Sequence, residues 1–202
     1  MILIRVKAAA MGDILAPAPA PEEMIGVALA AAREGRAALE AALATLPAPI
    51  YTADLDGYVT FFNSACVGFS GRTPEIGKDR WCVTWKLYNR DGRPLAHEDC
   101  PMAVAIKGNV AVRDVMALAE RPDGTRVMFA PYPTPLLGEH GEIVGAVNIL
   151  IDVTEECQAG ELRTQARRCR RLAWSITDQR TIKTLLLMAE EYDQKAGELG
   201  RG

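Results

Sequence analysis

Apolar and polar residues alternate through the middle of this chain and change to helical spacing towards both ends. Ile50–Ala53 and Tyr58–Phe62 are β-branched or aromatic runs separated by Asp54, Leu55, Asp56 and Gly57. That pattern, with glycine available for a positive φ, predicts a β-hairpin. Val112–Arg121 and Thr125–Ala130 predict a second hairpin through Pro122, Asp123 and Gly124, and the chain turns again between Leu136 and Gly141. Gly145–Val153 is the most strand-prone segment. Between the two hairpins, Asn63 to Ile106 reads as short helical pieces broken by Gly71, Pro74, Gly77, Gly92 and Pro94. A helix is expected to start near Pro101 with Asp99 as its cap.

The flanks follow a different period. Met24, Ile25, Ala28, Leu29, Ala32, Gly35, Leu39, Ala42, Leu43 and Leu46 recur at helical spacing. They predict one amphipathic helix over 21–46, opened by Pro21, Glu22 and Glu23 and stopped by Pro47 and Pro49. Its apolar stripe is thin and needs a partner surface, so homodimerisation through this helix is the expectation. After Thr154, one stripe (Leu162, Ala166, Cys169, Leu172, Ala173) and a second (Ile182, Leu185, Leu186, Ala189, Tyr192) flank a break at Ser175–Asp178 that offers caps. A helical hairpin over 157–198 is expected. Residues 1–20 end in alternating alanine and proline and read as a stiff linker, with Met11 an alternative start.

Residues 131–135 read PYPTP. Successive amides of a strand point to opposite sides, so alternate prolines remove donors from one side only. This stretch is expected to pair well with one neighbour and poorly with the other.

Composition narrows the function. At 202 residues and 49% hydrophobic, the chain can bury a core. A net charge of −3 gives no sign of nucleic-acid binding. No apolar run approaches the roughly 18 residues of a membrane span. The five cysteines (Cys66, Cys82, Cys100, Cys157, Cys169) are odd in number and lack framework spacing, which fits reduced thiols in the cytoplasm.

The segments YTADLDGYVTFFN, GFSGRTPEIGK, ERPDGTRV and GEIVGAVNILIDVTE, ending in Asp152, Val153, Thr154 and Glu155, resemble a PAS sensory domain over about residues 47–156. The resemblance implies an α+β fold with a five-stranded antiparallel sheet in the order 2-1-5-4-3 and helices on one face. Its strands would be 50–54, 58–62, 112–121, 125–137 and 143–153. WKLYNRDGRPL and HEDCPMA are similar to PAS domains of alphaproteobacterial sensor kinases, which implies a two-component setting. The implied role is a stand-alone sensory or signalling adaptor, with no enzymatic activity. It would sense a small molecule or a partner signalling protein and relay that signal through flanking helices, as a homodimer.

Candidate chemistry is sparse. Neither His97 nor His140 lies in the C-terminal helices, and no Gly-rich phosphate loop is present, which argues against a histidine kinase. A flavin photoreceptor of the LOV type needs a cysteine in an Asn-Cys-Arg segment; here Gly77 is followed by Lys78, Asp79, Arg80, Trp81 and Cys82, so the cysteine is displaced. His97 and Cys100 have a metal-like spacing but are two ligands where three or four are needed, so a haem or metal sensor is an alternative. Asn148 lies in an apolar strand, where an inward amide would read a ligand or hold a structural hydrogen bond. Trp85, Met102, Ile106, Met116 and Phe129 would line the same cavity or simply form core. The sequence names no cofactor. Arg167, Arg168, Arg170 and Arg171 form a basic cluster that either contacts DNA, as in a transcription regulator, or pairs with Glu161, Asp178, Glu190 and Glu191.

Overall fold

The computed structural model describes residues 19–200. The alternative start at Met11 and nearly all of the expected linker lie outside the described residues. The strands are β1 (Ile50–Ala53), β2 (Val59–Phe62), β3 (Lys86–Asn89), β4 (Pro94–Leu95), β5 (Ala117–Glu120), β6 (Arg126–Pro131), β7 (Thr134–Leu137) and β8 (Ile143–Asp152). They form one antiparallel sheet in the order β2-β1-β8-β6-β5-β3-β4, with β7 continuing along β8.

The expected five-strand order is present as β2, β1, β8, β6 with β7, and β5. The expected third strand over 112–121 is shorter than predicted. Only Ala117–Glu120 forms a strand, and Asp114 adopts a positive φ of 58° just before it. The structure also adds β3 and β4, a hairpin in a region whose glycines and prolines predict broken helix. Its turn is built by Asn89, whose Oδ1 accepts from the amides of Asp91 (3.1 Å) and Arg93 (2.9 Å). The expected strand over 125–137 breaks at Tyr132 and Pro133. Pro131, Thr134 and Pro135 all pair with β8. On the opposite side the Val112 amide bonds the Pro133 carbonyl at 3.1 Å, and the Arg113 guanidinium donates to the same carbonyl (3.1 Å) and to Thr134 Oγ1 (2.8 Å). One-sided pairing is what the proline spacing predicts.

The inner face of the sheet packs on α3 (Ala65–Ser70) and α4 (Pro101–Gly108). Tyr51, Val59, Phe69, Val83, Met102, Phe129, Ala146 and Leu150 form this core, each at most 5% exposed. Pro101 does open α4, but Cys100 is the capping residue and Asp99 ends a short 3-10 turn, His97–Asp99.

Two expectations for the N-terminal flank are corrected. The single helix over 21–46 is two, α1 (Pro21–Arg33) and α2 (Arg36–Thr45), because Gly35 takes φ 109°, which no helix accommodates. Helices also cover both faces of the sheet. Met24, Ile25, Ala28, Leu39 and Leu43 pack against Ile50, Leu136, Val147 and Ile149 on the outer face. The stripe that motivated dimerisation through this helix is thus buried within its own chain. Asn63 locks the arrangement. Its Oδ1 accepts from the Ile50 amide (3.1 Å), and its Nδ2 donates to the carbonyls of Leu46 (3.2 Å) and Ala48 (2.8 Å).

C-terminal to the sheet, α5 (Thr154–Trp174) and α6 (Gln179–Leu199) form the helical hairpin. Ala166, Cys169 and Ala189 form its seam, with Leu185 and Tyr192 against it. Asp178 caps α6 by accepting from the Thr181 amide at 2.8 Å.

Candidate functional site

Polar side chains also tie separate elements together at two further places among the described residues. One is the interior behind β8; the other is the junction from which α5 leaves the sheet.

At the interior, Asn148 points inward beside Tyr51, its register partner on β1. Its Nδ2 donates to the Tyr51 hydroxyl (3.1 Å), which donates to the Trp81 carbonyl (2.9 Å). Its Oδ1 accepts from the Tyr132 amide (3.0 Å), at the break between β6 and β7. The amide therefore ties β8, β1, the β6–β7 break and the Trp81 loop together. Burial pushes the Tyr51 phenol well above its ordinary range, so it stays a neutral donor. Trp81 sits at φ 68° with its ring over Gly57, where a Cβ would lie 2.3 Å from the indole.

The residues expected to share a cavity do not come together. Met102, Ile106 and Phe129 belong to the inner core with Tyr51 and Leu150. Trp85 and Met116 are 45% and 39% exposed. Trp85 lies on the surface with Lys86 Nζ 4.2 Å from its ring centroid. Met116, just before β5, lies beside α5. Each lies one residue before a strand, β3 and β5, outside the paired part of the sheet.

His97 and Cys100 remain a pair. Among the described residues, no group of three or more His, Cys, Asp or Glu side chains is placed to hold a metal ion. His97 Nε2 is buried without a hydrogen-bond partner, and burial, followed by the Arg72 guanidinium, lowers its pKa. Cys100 instead donates to the Trp81 carbonyl at 3.6 Å. Burial pushes the Cys66 and Cys100 thiols up to about 12 and raises Cys82 as well. A thiol at that value is ionised in only ~1 molecule in 10,000 at pH 8, which makes it a poor nucleophile. Iodoacetamide at pH 8 should therefore modify half-buried Cys157 well before Cys66, Cys82 or Cys100 in the native protein. Peptide mass spectrometry reads this directly, and equal rates at Cys157 and Cys100 would sink the assignment.

At the junction, the Asp152-Val153-Thr154 segment acts as a clasp. Asp152 Oδ1 accepts from the Thr154 amide at 2.9 Å. Thr154 Oγ1 accepts from the Met128 amide (2.9 Å) and donates to the Met128 carbonyl (3.3 Å), which also accepts from the Val153 amide (2.9 Å). A single residue of β6 is thus bonded to both residues that launch α5. The sequence marked these residues as a motif; their shared partner, Met128, is visible only in the fold. Beside the clasp lies a groove of about 640 Å³, lined by Arg90, Met116, Met128, Glu156, Cys157 and Glu161 among others.

The basic cluster is paired differently from expectation. Arg170 bonds Asp193 on α6, and Arg167 bonds Thr164 on its own helix. Arg168 and Arg171 are exposed. Leu172, Trp174, Leu186, Leu187 and Met188 are also exposed, Trp174 at 88%. No described helix is long and apolar enough to cross a membrane.

A family model described as a PAS fold matches residues 43–158. No curated protein matches the chain. Among solved structures, an RNA-binding light-oxygen-voltage receptor is 18% identical, over 76% of this chain and 39% of its own, with a TM-score of 0.45. The chain therefore spans about two fifths of that protein. A PAS domain from Colwellia psychrerythraea is 16% identical over 57% of this chain and 93% of its own, with a TM-score of 0.38. A LOV protein of Rhodobacter sphaeroides is 10% identical over 90% and 98%, with a TM-score of 0.40.

Proposed function

This chain belongs to the PAS fold family, and from that premise we propose that it is a signalling module coupling the state of its sheet to the α5–α6 hairpin. The observation that carries this reading is the clasp, in which Thr154 and Val153 both bond Met128 at the start of α5. Phe129, the next residue of β6, is buried in the inner core. A shift of β6 against β8 therefore moves a core side chain and the root of α5 together. Any ligand or partner that binds one position of β6 better than another would shift the population of hairpin states. The interior, filled by Tyr51, Met102, Phe129 and Leu150, favours a partner over a resident interior ligand as the input.

The hairpin assembles with a second copy of itself. It exposes Leu172, Trp174, Leu186, Leu187 and Met188, and it sets exposed Arg167, Arg168 and Arg171 on α5 against exposed Glu190 and Glu191 on α6. A two-fold pairing lets each α5 meet the partner's α6 with opposite charges. The homodimer that the sequence predicts through residues 21–46 thus forms through the hairpin instead.

Thr154→Val keeps the side-chain shape and removes both hydroxyl bonds. Hydrogen exchange of the first two turns of α5 should accelerate, by a local cost of about 1–2 kcal/mol, while β1 and β8 keep their protection. Unchanged exchange at 154–160 would refute the coupling. In light scattering, the full chain should be dimeric at micromolar concentration and Leu186→Glu with Leu187→Glu monomeric. A monomeric parent chain would refute the dimer.

A further inference from the structure

We infer that the groove beside the clasp is a binding site for one soft monovalent cation, Cu(I) or its surrogate Ag(I), held by Cys157, Met116 and Met128. Three sulfur-bearing residues from three separate elements line this one groove: the approach to β5, strand β6 and the first turn of α5. Cys157 Sγ lies 3.9 Å from Met116 Sδ. Two sulfurs that far apart, each about 2.3 Å from a shared metal, subtend an angle of about 115°, between tetrahedral and trigonal. That separation is compatible with both sulfurs sharing one ion.

The donor set selects the ion. One thiolate and two thioethers are soft ligands, which suit Cu(I) and are poor for magnesium or calcium. Zinc sites use thiolate, imidazole and carboxylate, so two thioethers disfavour zinc. Two carboxylates, Glu156 and Glu161, line the groove against one guanidinium, Arg90, which leaves it net attractive to a cation. The groove also gives access, since Met116 is exposed and Cys157 half-buried. Binding replaces the Cys157 S–H bond with an S–Cu bond and releases one proton to solvent, with no change of oxidation state.

The consequence for signalling rests on the coupling proposed above, because the ion would join α5 to β5 and β6 across the clasp. Binding itself does not depend on that reading. The test titrates the reduced full chain with Cu(I) anaerobically, against a chromophoric Cu(I) chelator. One equivalent should bind. Cys157→Ser should abolish binding, and Met116→Leu and Met128→Leu should each weaken it at least tenfold, with circular dichroism unchanged in all three. X-ray absorption should show sulfur as the coordinating element. Retained binding in Cys157→Ser, or unaltered affinity in both leucine variants, would overturn the site, because the metal would then be on another thiol or on Cys157 alone. Hydrogen exchange separates the two claims. Tight binding that leaves exchange at 154–160 unchanged keeps the site and removes the relay.

Discussion

Phe129→Ala is expected to destabilise the protein by about 3–5 kcal/mol, the range for deleting a buried ring that its neighbours cannot refill. Phe129 is 2% exposed and meets the Phe69 ring edge-to-face, with centroids 5.3 Å apart and planes at 84°. It sits on the central part of the sheet, between α3 and the β6–β8 pairing, where Phe129 is the register partner of Asp152. The backbone there is held on both sides by ladder bonds, so little collapse into the cavity is available. For a chain of this length the loss corresponds to a fall in melting temperature of roughly 6–20 °C. Urea unfolding followed by circular dichroism measures it. A loss under 1.5 kcal/mol would mean that the interior is not packed as described. That outcome would also reopen the question of an interior ligand, because a loosely filled core has room for one.

Asn63→Ala is the second large effect, at about 2–3 kcal/mol, and its mechanism is different. No cavity of note forms. Instead the Ile50 amide loses its acceptor, and the carbonyls of Leu46 and Ala48 lose the donor that satisfies them. These groups lie at the C-terminus of α2 and in the Pro47–Pro49 link, where a helix has carbonyls that its own backbone cannot reach. The local consequence should exceed the global one. Proteolysis between Leu46 and Ile50 should accelerate sharply as α1 and α2 detach from Ile50, Val147 and Ile149. Asn63→Asp should be at least as damaging, since a carboxylate still accepts from Ile50 but cannot donate to two carbonyls. Stability within 0.5 kcal/mol of the parent for Asn63→Ala would refute the locking role.

Asn63 and Asn148 show where reading the sequence loses its grip. Asn148 stood out because it interrupts an apolar strand, and that contrast is local. Asn63 follows Val59–Phe62 at a strand end, where asparagine is ordinary, so nothing nearby distinguishes it. Its importance comes from the carbonyls of Leu46 and Ala48, which lie 17 and 15 residues back along the chain. The β3–β4 hairpin lies between these cases. Its Asp91-Gly92 turn was present in the sequence, but the surrounding glycines and prolines made the segment read as broken helix.

The sequence alone determined the features that depend on near neighbours. The Asp-Gly turns set the two hairpins, because positive φ and side-chain acceptance act within four residues. The helical stripes and Asp178 set the α5–α6 hairpin, and alternate prolines set the one-sided pairing of residues 131–135. Tertiary structure alone decided what each exposed-looking surface meets. The stripe of α1 and α2 could have met a second chain, yet it meets the outer face of its own sheet. Trp85 and Met116 are apolar, yet they lie at the entries to β3 and β5 and are exposed there. Met116, Met128 and Cys157 are separated by up to 41 residues and share one groove only after β5, β6 and α5 are assembled. A periodic pattern specifies that a face must be buried; which surface buries it depends on the free energy of every competing contact, and that is a property of the whole fold.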